Sequence, residues 1–403
     1  MRLINTRTLV LEEYFGDQIP KYAILSHTWR DEEVTFLDWQ DSCCRVAKKG
    51  FQKIQTSCVL AQRQSIEYLW VDTNCINKDS SAELSEAINS MFVWYQRSCV
   101  CFVYLDDFHY CGSDLVDFRT SRWFTRGWTL QELLAPENVQ FFDASWTDFG
   151  TKHSLSLHIS EVTSIDIHYL IHPDSIRLTS VAKRMSWVST RSTTREEDIA
   201  YCLLGIFEIN MPLLYGEGGK AFIRLQEEII RHSNDHTIFC WFWPLSLESE
   251  ETLDWHGCLA PRPIAFRDSG DFLPTNAADN NISLEFQLTN SGLRITLPLL
   301  NSVLKGFALV MLNAASPANH GYRLCLCLQS FQGKVYVRSR VVNRPLRIPR
   351  SWAGRGMSIY LAHERDPNRK AAAFLSLKKY VSGLPSCHAT RALGVHAFRP
   401  RGR

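Results

Sequence analysis

The sequence of 403 residues predicts an α/β protein in which a doubly wound parallel sheet is followed by helices and then by a β-rich region. Short apolar runs without alternation recur in the first 150 residues, as is typical of parallel strands that are covered on both faces. The stretches between these runs are long enough for crossover helices, and right-handed crossovers then give a doubly wound sheet. Beyond residue 281 the apolar pattern changes to the period of two that half-buried strands show.

Four buried strands are predicted in the first 150 residues, at 22–26, 68–72, 99–105 and 139–142. An amphipathic helix is predicted after Gly50, and a second helix begins at Ser80, which has capping-box spacing with Glu83. A third, short helix is predicted within residues 123–135 because Pro136 stops it. These alternating elements form the first predicted domain, residues 1–150.

Polar residues follow each predicted strand at its carboxyl end. They are Ser26 and His27, Asp72, Asp106 and Asp107, and Asp143. Ligands bind at this edge in open α/β sheets, so the pattern favours a binding site there. The alternative is structural: Ser26 and His27 cap the next turn, Trp29 closes the end of the sheet, and the aspartates belong to ordinary turns.

Residues 151–240 are predicted to be a helical extension of the first domain. One helix is expected over Ser180 to Val188, and another begins in 193–198, where two Thr/Glu pairs have capping spacing. A further helix follows Lys220. The glycines before it do not form a phosphate-binding loop, because Leu214 and Ala221 replace the residues that such a loop needs.

Residues 241–390 are predicted to be a β-rich domain that begins with a polar, acidic link at 244–253. The expected strands are Ile282 to Leu288, Leu293 to Leu297, Phe307 to Leu312, Tyr322 to Leu328 and Val335 to Val341. The last two are joined through Gln332-Gly333. Residues 391–403 form a basic tail that is expected to be disordered.

The composition excludes several classes of protein. A formal net charge of +2 argues against a nucleic-acid-binding protein, which would carry a basic stripe. No run approaches the ~18 apolar residues that a membrane helix needs, and the N-terminus lacks a signal peptide. The thirteen cysteines are scattered without a C-x-x-C pair, which favours reduced thiols in the cytoplasm and no structural metal.

Glu132 is the candidate catalytic residue. It lies in Trp128-Thr-Leu-Gln-Glu132, where a carboxylate at the sheet edge could stabilise the positive charge that develops on a sugar carbon in glycosidic cleavage. Thr129 and Glu132 also have capping-box spacing, so Glu132 could instead hold the start of a helix. A Ser26–His27–Asp72 hydrolase triad is disfavoured because adjacent strand residues point to opposite faces.

The sequence resembles the fungal heterokaryon incompatibility (HET) domain over roughly residues 1–240. The matching segments are Tyr22-Ala-Ile-Leu-Ser-His-Thr-Trp29, Leu69-Trp-Val-Asp72 with Cys75-Ile76, Arg126-Gly-Trp-Thr-Leu-Gln-Glu-Leu133, Arg184-Met-Ser-Trp187, Thr194-Arg-Glu-Glu-Asp198, Tyr215-Gly-Glu-Gly218 and Leu225-Gln-Glu-Glu228. The resemblance implies a role in non-self recognition between hyphae and in regulated cell death.

The HET domain is in turn similar to TIR domains, which have a flavodoxin-like sheet. Many TIR domains cleave NAD at its nicotinamide bond with a Glu in a W-x-x-x-E segment, and Trp128 and Glu132 match that segment. The resemblance therefore implies that Glu132 is catalytic, that NAD is the substrate rather than a cofactor, and that Ser26, His27, Trp29, Asp72 and Trp128 line the nucleotide pocket. Asn77-Lys78 departs from the family, which commonly has Gln after the Cys-Ile pair.

Two functions remain open at the level of the sequence. The first is an NAD-cleaving enzyme triggered by assembly, which would place homo-oligomers or incompatibility proteins among the partners. The second is a non-enzymatic signalling module whose HET surface recruits other proteins. In the first case Glu132 is essential for cell death, and in the second it is not.

Overall fold

The computed structural model describes residues 1–112, 115–243, 257–275, 285–301, 306–317, 321–332, 334–339, 342, 344–349 and 355–362. The chain forms two compact units. One consists of Met1–Leu178 with Arg191–Gly218, and the other of Thr179–Thr190 with Gly219–Arg403. Residues 151–240, the predicted helical extension, thus contribute to both units, and the domain boundaries given above stay a prediction.

The first unit contains a seven-stranded sheet. Its strands are β1 (Arg2–Asn5), β2 (Leu11–Glu13), β3 (Tyr22–His27), β4 (Tyr68–Trp70), β5 (Val100–Tyr104), β6 (Val139–Phe142) and β7 (Asp148–Thr151), and their order is β2-β1-β4-β3-β5-β6-β7. The four predicted strands are β3 to β6. They pair in parallel, which confirms the parallel core of an α/β fold.

The strand order reverses between β3 and β5. From β3 the chain crosses to β4 on one side and then returns to β5 on the other, so the parallel strands have the order second, first, third, fourth. Such a reversal opens a crevice at the carboxyl ends of the strands, where α/β proteins bind ligands. All six residues of β3 are buried, as its unbroken apolar run predicts.

The sheet is not wholly parallel, which corrects part of the prediction. β1 pairs antiparallel with β2 and β4, and β7 pairs antiparallel with β6. Residues 1–21, for which no strand was predicted, thus extend one edge of the sheet. Short, partly charged strands of three or four residues carry too little apolar pattern to be recognised from sequence.

Twelve α-helices lie in the described part of the chain. They are α1 (Phe36–Gln40), α2 (Ser42–Ala47), α3 (Phe51–Arg63), α4 (Ser81–Arg97), α5 (Val116–Thr120), α6 (Thr129–Leu134), α7 (Ser156–Thr163), α8 (Ile167–Ile171), α9 (Val181–Ser186), α10 (Asp198–Tyr201), α11 (Leu204–Phe207) and α12 (Lys220–His232). Short 3-10 helices are present at Gly16–Gln18, Arg122–Thr125, Pro173–Leu178, His236–Phe239 and Pro263–Phe266.

The predicted crossover helices are confirmed. α3 begins directly after Gly50 and buries the apolar face that includes Ile54, Cys58 and Ala61. α4 begins after Ser80, whose hydroxyl accepts a hydrogen bond from the Glu83 amide at 3.4 Å, as the capping spacing predicts.

The capping predicted for residues 193–198 is wrong. α10 begins only at Asp198, and the side chain of its N-cap residue, Glu197, makes no capping hydrogen bond. The Thr193 hydroxyl instead donates to the Arg195 carbonyl oxygen, and the Glu197 carboxylate accepts from the amides of Gly216 and Gly218. Here the acidic residues close a loop rather than start a helix.

The second unit is rich in β-structure, as predicted. Its strands are β8 (Leu273–Pro274), β9 (Phe286–Thr289), β10 (Gly292–Asn301), β11 (Phe307–Met311), β12 (Ala314–Ala315), β13 (Tyr322–Gln332), β14 (Val335–Arg338), β15 (Leu346–Pro349) and β16 (Arg355–Leu361). The main sheet has the order β11-β10-β16-β14-β13-β15, with β9 on β10. Its pairings are antiparallel except for β14 with β16.

A cluster of buried apolar side chains forms the core on this sheet. It includes Leu309, Met311, Cys325, Cys327 and Ile348. Every cysteine that the structure describes is a free thiol. The acidic link at 244–253, the basic tail at 391–403 and the turn residue Gly333 lie outside the described residues. Among the residues that are described, no helix is both long and apolar enough to cross a bilayer.

Candidate functional site

Glu132 is buried beneath the carboxyl end of β3. Only 8% of the residue is exposed, and its Oε2 accepts a hydrogen bond of 2.5 Å from Ser26 Oγ. Ser26 Oγ in turn accepts from the Trp123 indole nitrogen at 2.8 Å. The Tyr95 hydroxyl also hydrogen-bonds the Glu132 side chain. The structure thus brings Ser26 and Glu132 into direct contact, although 106 positions separate them in the chain.

Glu132 does not cap its helix. The N-cap of α6 is Trp128, whose side chain makes no capping hydrogen bond. The Thr129 hydroxyl donates to the carbonyl oxygens of Trp123 and Arg126. The capping alternative is therefore wrong, because the Thr–Glu spacing begins one residue inside the helix and the carboxyl points to Ser26.

Burial raises the pKa of Glu132 to about 8, and the negative charge of Asp72 adds to this effect. Hydrogen bonds from Ser26 and Tyr95, and the positive charge of Arg191, act in the opposite direction but are weaker. A carboxyl group of this kind is mostly neutral at pH 7 and ionises under mildly alkaline conditions. Strongly shifted groups of this kind are concentrated at functional sites.

Two buried cations hold the short helix α6 at its two ends. Arg191 Nη1 donates to the Arg126 carbonyl oxygen and to Thr129 Oγ1, both at 2.9 Å. Lys152 Nζ donates to the Leu133 carbonyl oxygen at 3.2 Å and also to that of Pro136. The bonds from Lys152 reach carbonyl oxygens at the carboxyl end of α6, where a helix leaves such groups unpaired. The bonds from Arg191 hold the first residue of α6 and the chain just before it.

His27, Trp29 and Asp72 form a second group at the same edge. The Trp29 indole nitrogen donates to Asp72 Oδ2 at 2.9 Å, and His27 Nε2 lies 4.0 Å from Asp72 Oδ1. Lys78 Nζ lies 3.5 Å from the centre of the Trp29 ring and 3.8 Å from Asp72 Oδ2. Trp29 remains 48% exposed, so one side of this group is open to ligands.

Trp128 belongs to a third group, whose other members come from the predicted helical extension at 151–240. Its indole donates to the side chain of Asp198, which also accepts from the Tyr215 hydroxyl at 3.0 Å. Burial raises the pKa of Asp198. The Arg195 guanidinium lies 4.5 Å from the centre of the Tyr215 ring. Arg195 and Asp198 thus take part in ring contacts and hydrogen bonds around Trp128.

Electrostatic effects couple the three groups. The charge of Asp72 contributes to the raised pKa of Glu132, and Asp72, Glu33 and Asp198 oppose the burial that lowers the pKa of Lys78. Four neighbours of the site were not predicted from the sequence: Trp123, Tyr95, Lys78 and Arg191. Nothing in their spacing indicates it, because each becomes a neighbour only through the packing of distant elements.

The other strand-end aspartates have structural roles. Asp106 pairs with Arg30, and Asp107 accepts from the Ser121 hydroxyl and the Arg122 amide. Asp143 accepts from the amides of Tyr110, Ser145 and Thr147. For these residues the turn interpretation is correct. Within the described ranges no group of three His, Cys, Asp or Glu side chains could hold a metal ion.

Comparison with known proteins assigns the domain. The family model of heterokaryon incompatibility proteins (HET) matches residues 22–119. A vegetative incompatibility protein of Podospora anserina, HET-E-1, is 46% identical over 225 residues. The chain carries a HET domain. This alignment covers 53% of the chain but only 16% of the Podospora protein. No solved structure is significantly similar to the chain.

Proposed function

We propose that this protein acts in the cytoplasm in heterokaryon incompatibility, through non-self recognition that leads to regulated cell death. The identity of 46% with a vegetative incompatibility protein supports this role. The HET domain is the part that carries the resemblance. Because the chain matches only a small part of that relative, its own partners, whether further copies or other incompatibility proteins, belong to the proposal.

We further propose that the HET domain is TIR-like and cleaves NAD at the nicotinamide–ribose bond. The observation that carries this proposal is Glu132, a buried carboxyl group at the carboxyl edge of a parallel sheet. It lies beside β3, where the strand order reverses. The strand order second, first, third, fourth is also that of flavodoxin-like sheets. The Trp128–Glu132 segment matches the W-x-x-x-E segment of NAD-cleaving TIR domains.

Each group at the edge then has a chemical role. The bond between ribose C1 and nicotinamide nitrogen breaks, its electron pair leaves with nicotinamide, and ionised Glu132 stabilises the positive charge on the sugar. Water then adds to C1 and releases a proton, which gives ADP-ribose. Ser26 orients the carboxylate, while Trp29, Asp72 and Trp128 bind the nucleotide around it.

The second candidate function is a recruiting module without enzymatic activity. One observation favours it: in the single chain Glu132 is only 8% exposed and its raised pKa keeps it mostly neutral at pH 7. An NAD-cleaving enzyme needs this group ionised and accessible. The enzymatic proposal therefore requires a structural change on activation, and the recruiting module does not.

A cellular experiment separates the two functions. The full chain is expressed from an inducible promoter in a filamentous fungus, as wild type, Glu132→Gln and Glu137→Gln. Glu137 is an exposed carboxylate five positions further on and serves as the matched control. Loss of cellular NAD and cell death with wild type and Glu137→Gln, but not with Glu132→Gln, supports the enzyme. Death without loss of NAD in all three supports recruitment.

A further inference from the structure

His27 is a buried histidine whose ring forms no hydrogen bond with the residues that the structure describes. Its side chain is 1% exposed, and neither Nδ1 nor Nε2 has a partner among the described residues. Burial, together with the positive charges of Lys53 and Lys78, lowers its pKa well below the ordinary value, so the ring is neutral. A buried neutral imidazole can donate one hydrogen bond and accept another, and leaving both unmade is costly.

Two carboxylates face the same ring nitrogen. His27 Nε2 lies 3.9 Å from Glu33 Oε2 and 4.0 Å from Asp72 Oδ1. Within the described part of the chain, Glu33 Oε2 is also buried without a hydrogen bond, although the other oxygen of this carboxylate accepts from Lys53 at 2.5 Å. These separations are too long for direct hydrogen bonds. They match the spacing of groups that bond one shared oxygen, because two bonds of about 2.8 Å that meet at 90–110° separate their outer atoms by about 4.0–4.6 Å.

The charges at this position favour a neutral ligand. Glu33 and Asp72 carry two formal negative charges, and Lys53 and Lys78 pair with them and carry two positive ones. An anion would face two carboxylates, and a cation would compete with two lysines. A metal ion is disfavoured because the described residues include no ligand set for one. A hydroxyl group suits the position because it can donate to a carboxylate and accept from the imidazole.

We propose that His27, Glu33 and Asp72 form a binding site for the vicinal hydroxyls of a ribose. One hydroxyl occupies the position shared by His27 Nε2 and Glu33 Oε2, and the neighbouring hydroxyl bonds to Asp72 Oδ1. The proposal rests on the NAD-cleaving function, which it deepens by naming the group that the site recognises. Glu33 becomes a specificity-determining residue, and Lys53 positions it.

The test measures binding rather than cleavage, so that it is independent of catalysis. The parent probe is carbocyclic NAD, which cannot be cleaved. The second probe is the same molecule without the two hydroxyls of its nicotinamide-side ring. The third is carbocyclic NAD in which 2′,3′-dideoxyadenosine replaces adenosine. Isothermal titration calorimetry on the full chain compares wild type with Glu33→Gln. The matched control is Glu32→Gln. In wild type the Glu32 carboxylate pairs with Lys49 on the surface.

Wild type is expected to lose at least about tenfold in affinity when the hydroxyls of one ring are removed, and that ring identifies the ribose that binds here. Glu33→Gln should lower the affinity for carbocyclic NAD by a similar factor. It should not change the affinity for the probe that lacks the hydroxyls of the identified ring. Glu32→Gln should bind all three probes like wild type. Equal affinity of wild type for the parent and both dideoxy forms would overturn the proposal.

A second measurement uses wild-type protein alone and therefore does not require that a variant folds. Imidazole ¹⁵N NMR of wild-type protein should show a shift of the His27 signal with methyl β-riboside and none with its 2,3-dideoxy form. A selective shift without cleavage of NAD would uphold the hydroxyl site while the enzymatic proposal fails. An unchanged His27 signal with both methyl riboside and carbocyclic NAD contradicts the site, even if NAD is cleaved.

Discussion

Glu132 is the residue on which the chemistry of the site depends. Its carboxyl group is buried against Ser26 and Tyr95, and the charge of Arg191 only partly offsets the cost of ionising it. The same environment has two consequences. It makes the folded protein sensitive to pH, and it opposes the ionisation of Glu132 that catalysis needs.

The first prediction concerns stability against pH. Because burial raises the pKa of Glu132 from 4.5 to about 8, folding favours the protonated form. The stabilisation is complete below about pH 4.5 and is lost as pH rises through about 8. Glu132→Gln removes this dependence. The difference in unfolding free energy between variant and wild type should therefore shift in favour of the variant by a few kcal/mol across this range. Chemical unfolding at several pH values measures it, and a constant difference would mean that Glu132 is not buried as described.

The second prediction concerns the rate. If ionised Glu132 stabilises the positive charge on the ribose, NAD cleavage should increase with pH and then level off. The midpoint should lie at or below about 8, because opening of the site on activation reduces the burial that raises the pKa of Glu132. Rates at saturating NAD between pH 6 and pH 10, with circular dichroism at each pH, provide the measurement. A rate that instead falls through the same range would assign Glu132 the role of a proton donor.

Individual residues also show where sequence reasoning succeeds. The position of Glu132 at the sheet edge follows from the strand pattern, and so does the placement of Ser26. The Thr129–Glu132 capping box was wrong because spacing alone does not fix which residue begins a helix. Lys78 and Arg191 were missed as neighbours because their contacts arise from tertiary packing alone.

At the scale of elements, the site depends on helices that are too short to be stable alone. α6 has six residues, and α10 and α11 have four each. Isolated helices of this length do not form in water. Their packing holds them: Lys152 and Arg191 bind the ends of α6, and α11 packs against α4.

Gly205 provides a test of this packing. It lies in α11, and a Cβ atom added there would meet the Phe92 Cβ of α4 at 2.0 Å. We expect Gly205→Ala to reduce the free energy of unfolding by about 1–3 kcal/mol, because the two helices must separate. Gly321→Ala is the control, since its added Cβ has no atom within 4 Å. Equal thermal midpoints of the two variants would contradict the described contact between α4 and α11.

At the scale of the whole molecule, the sequence predicted the order and type of the main elements. β3 to β6 and the β-rich second unit carry strong apolar patterns, and both were recognised. The antiparallel edge strands β1, β2 and β7 were not, because strands of three or four residues leave little pattern. Residues 191–218 belong to the unit that contains the parallel sheet, and Asp198 lies beside Trp128. Local sequence patterns do not predict such a long-range arrangement.

The central claim is that the HET domain cleaves NAD with Glu132. The most direct measurement is nicotinamide release by the purified full chain, at low and high protein concentration, for wild type, Glu132→Gln and Glu137→Gln. Circular dichroism verifies that all three are folded. We predict release by wild type and Glu137→Gln, stronger when the protein is concentrated, and none by Glu132→Gln. Equal release by all three variants, or none by any of them at high concentration, would contradict the claim.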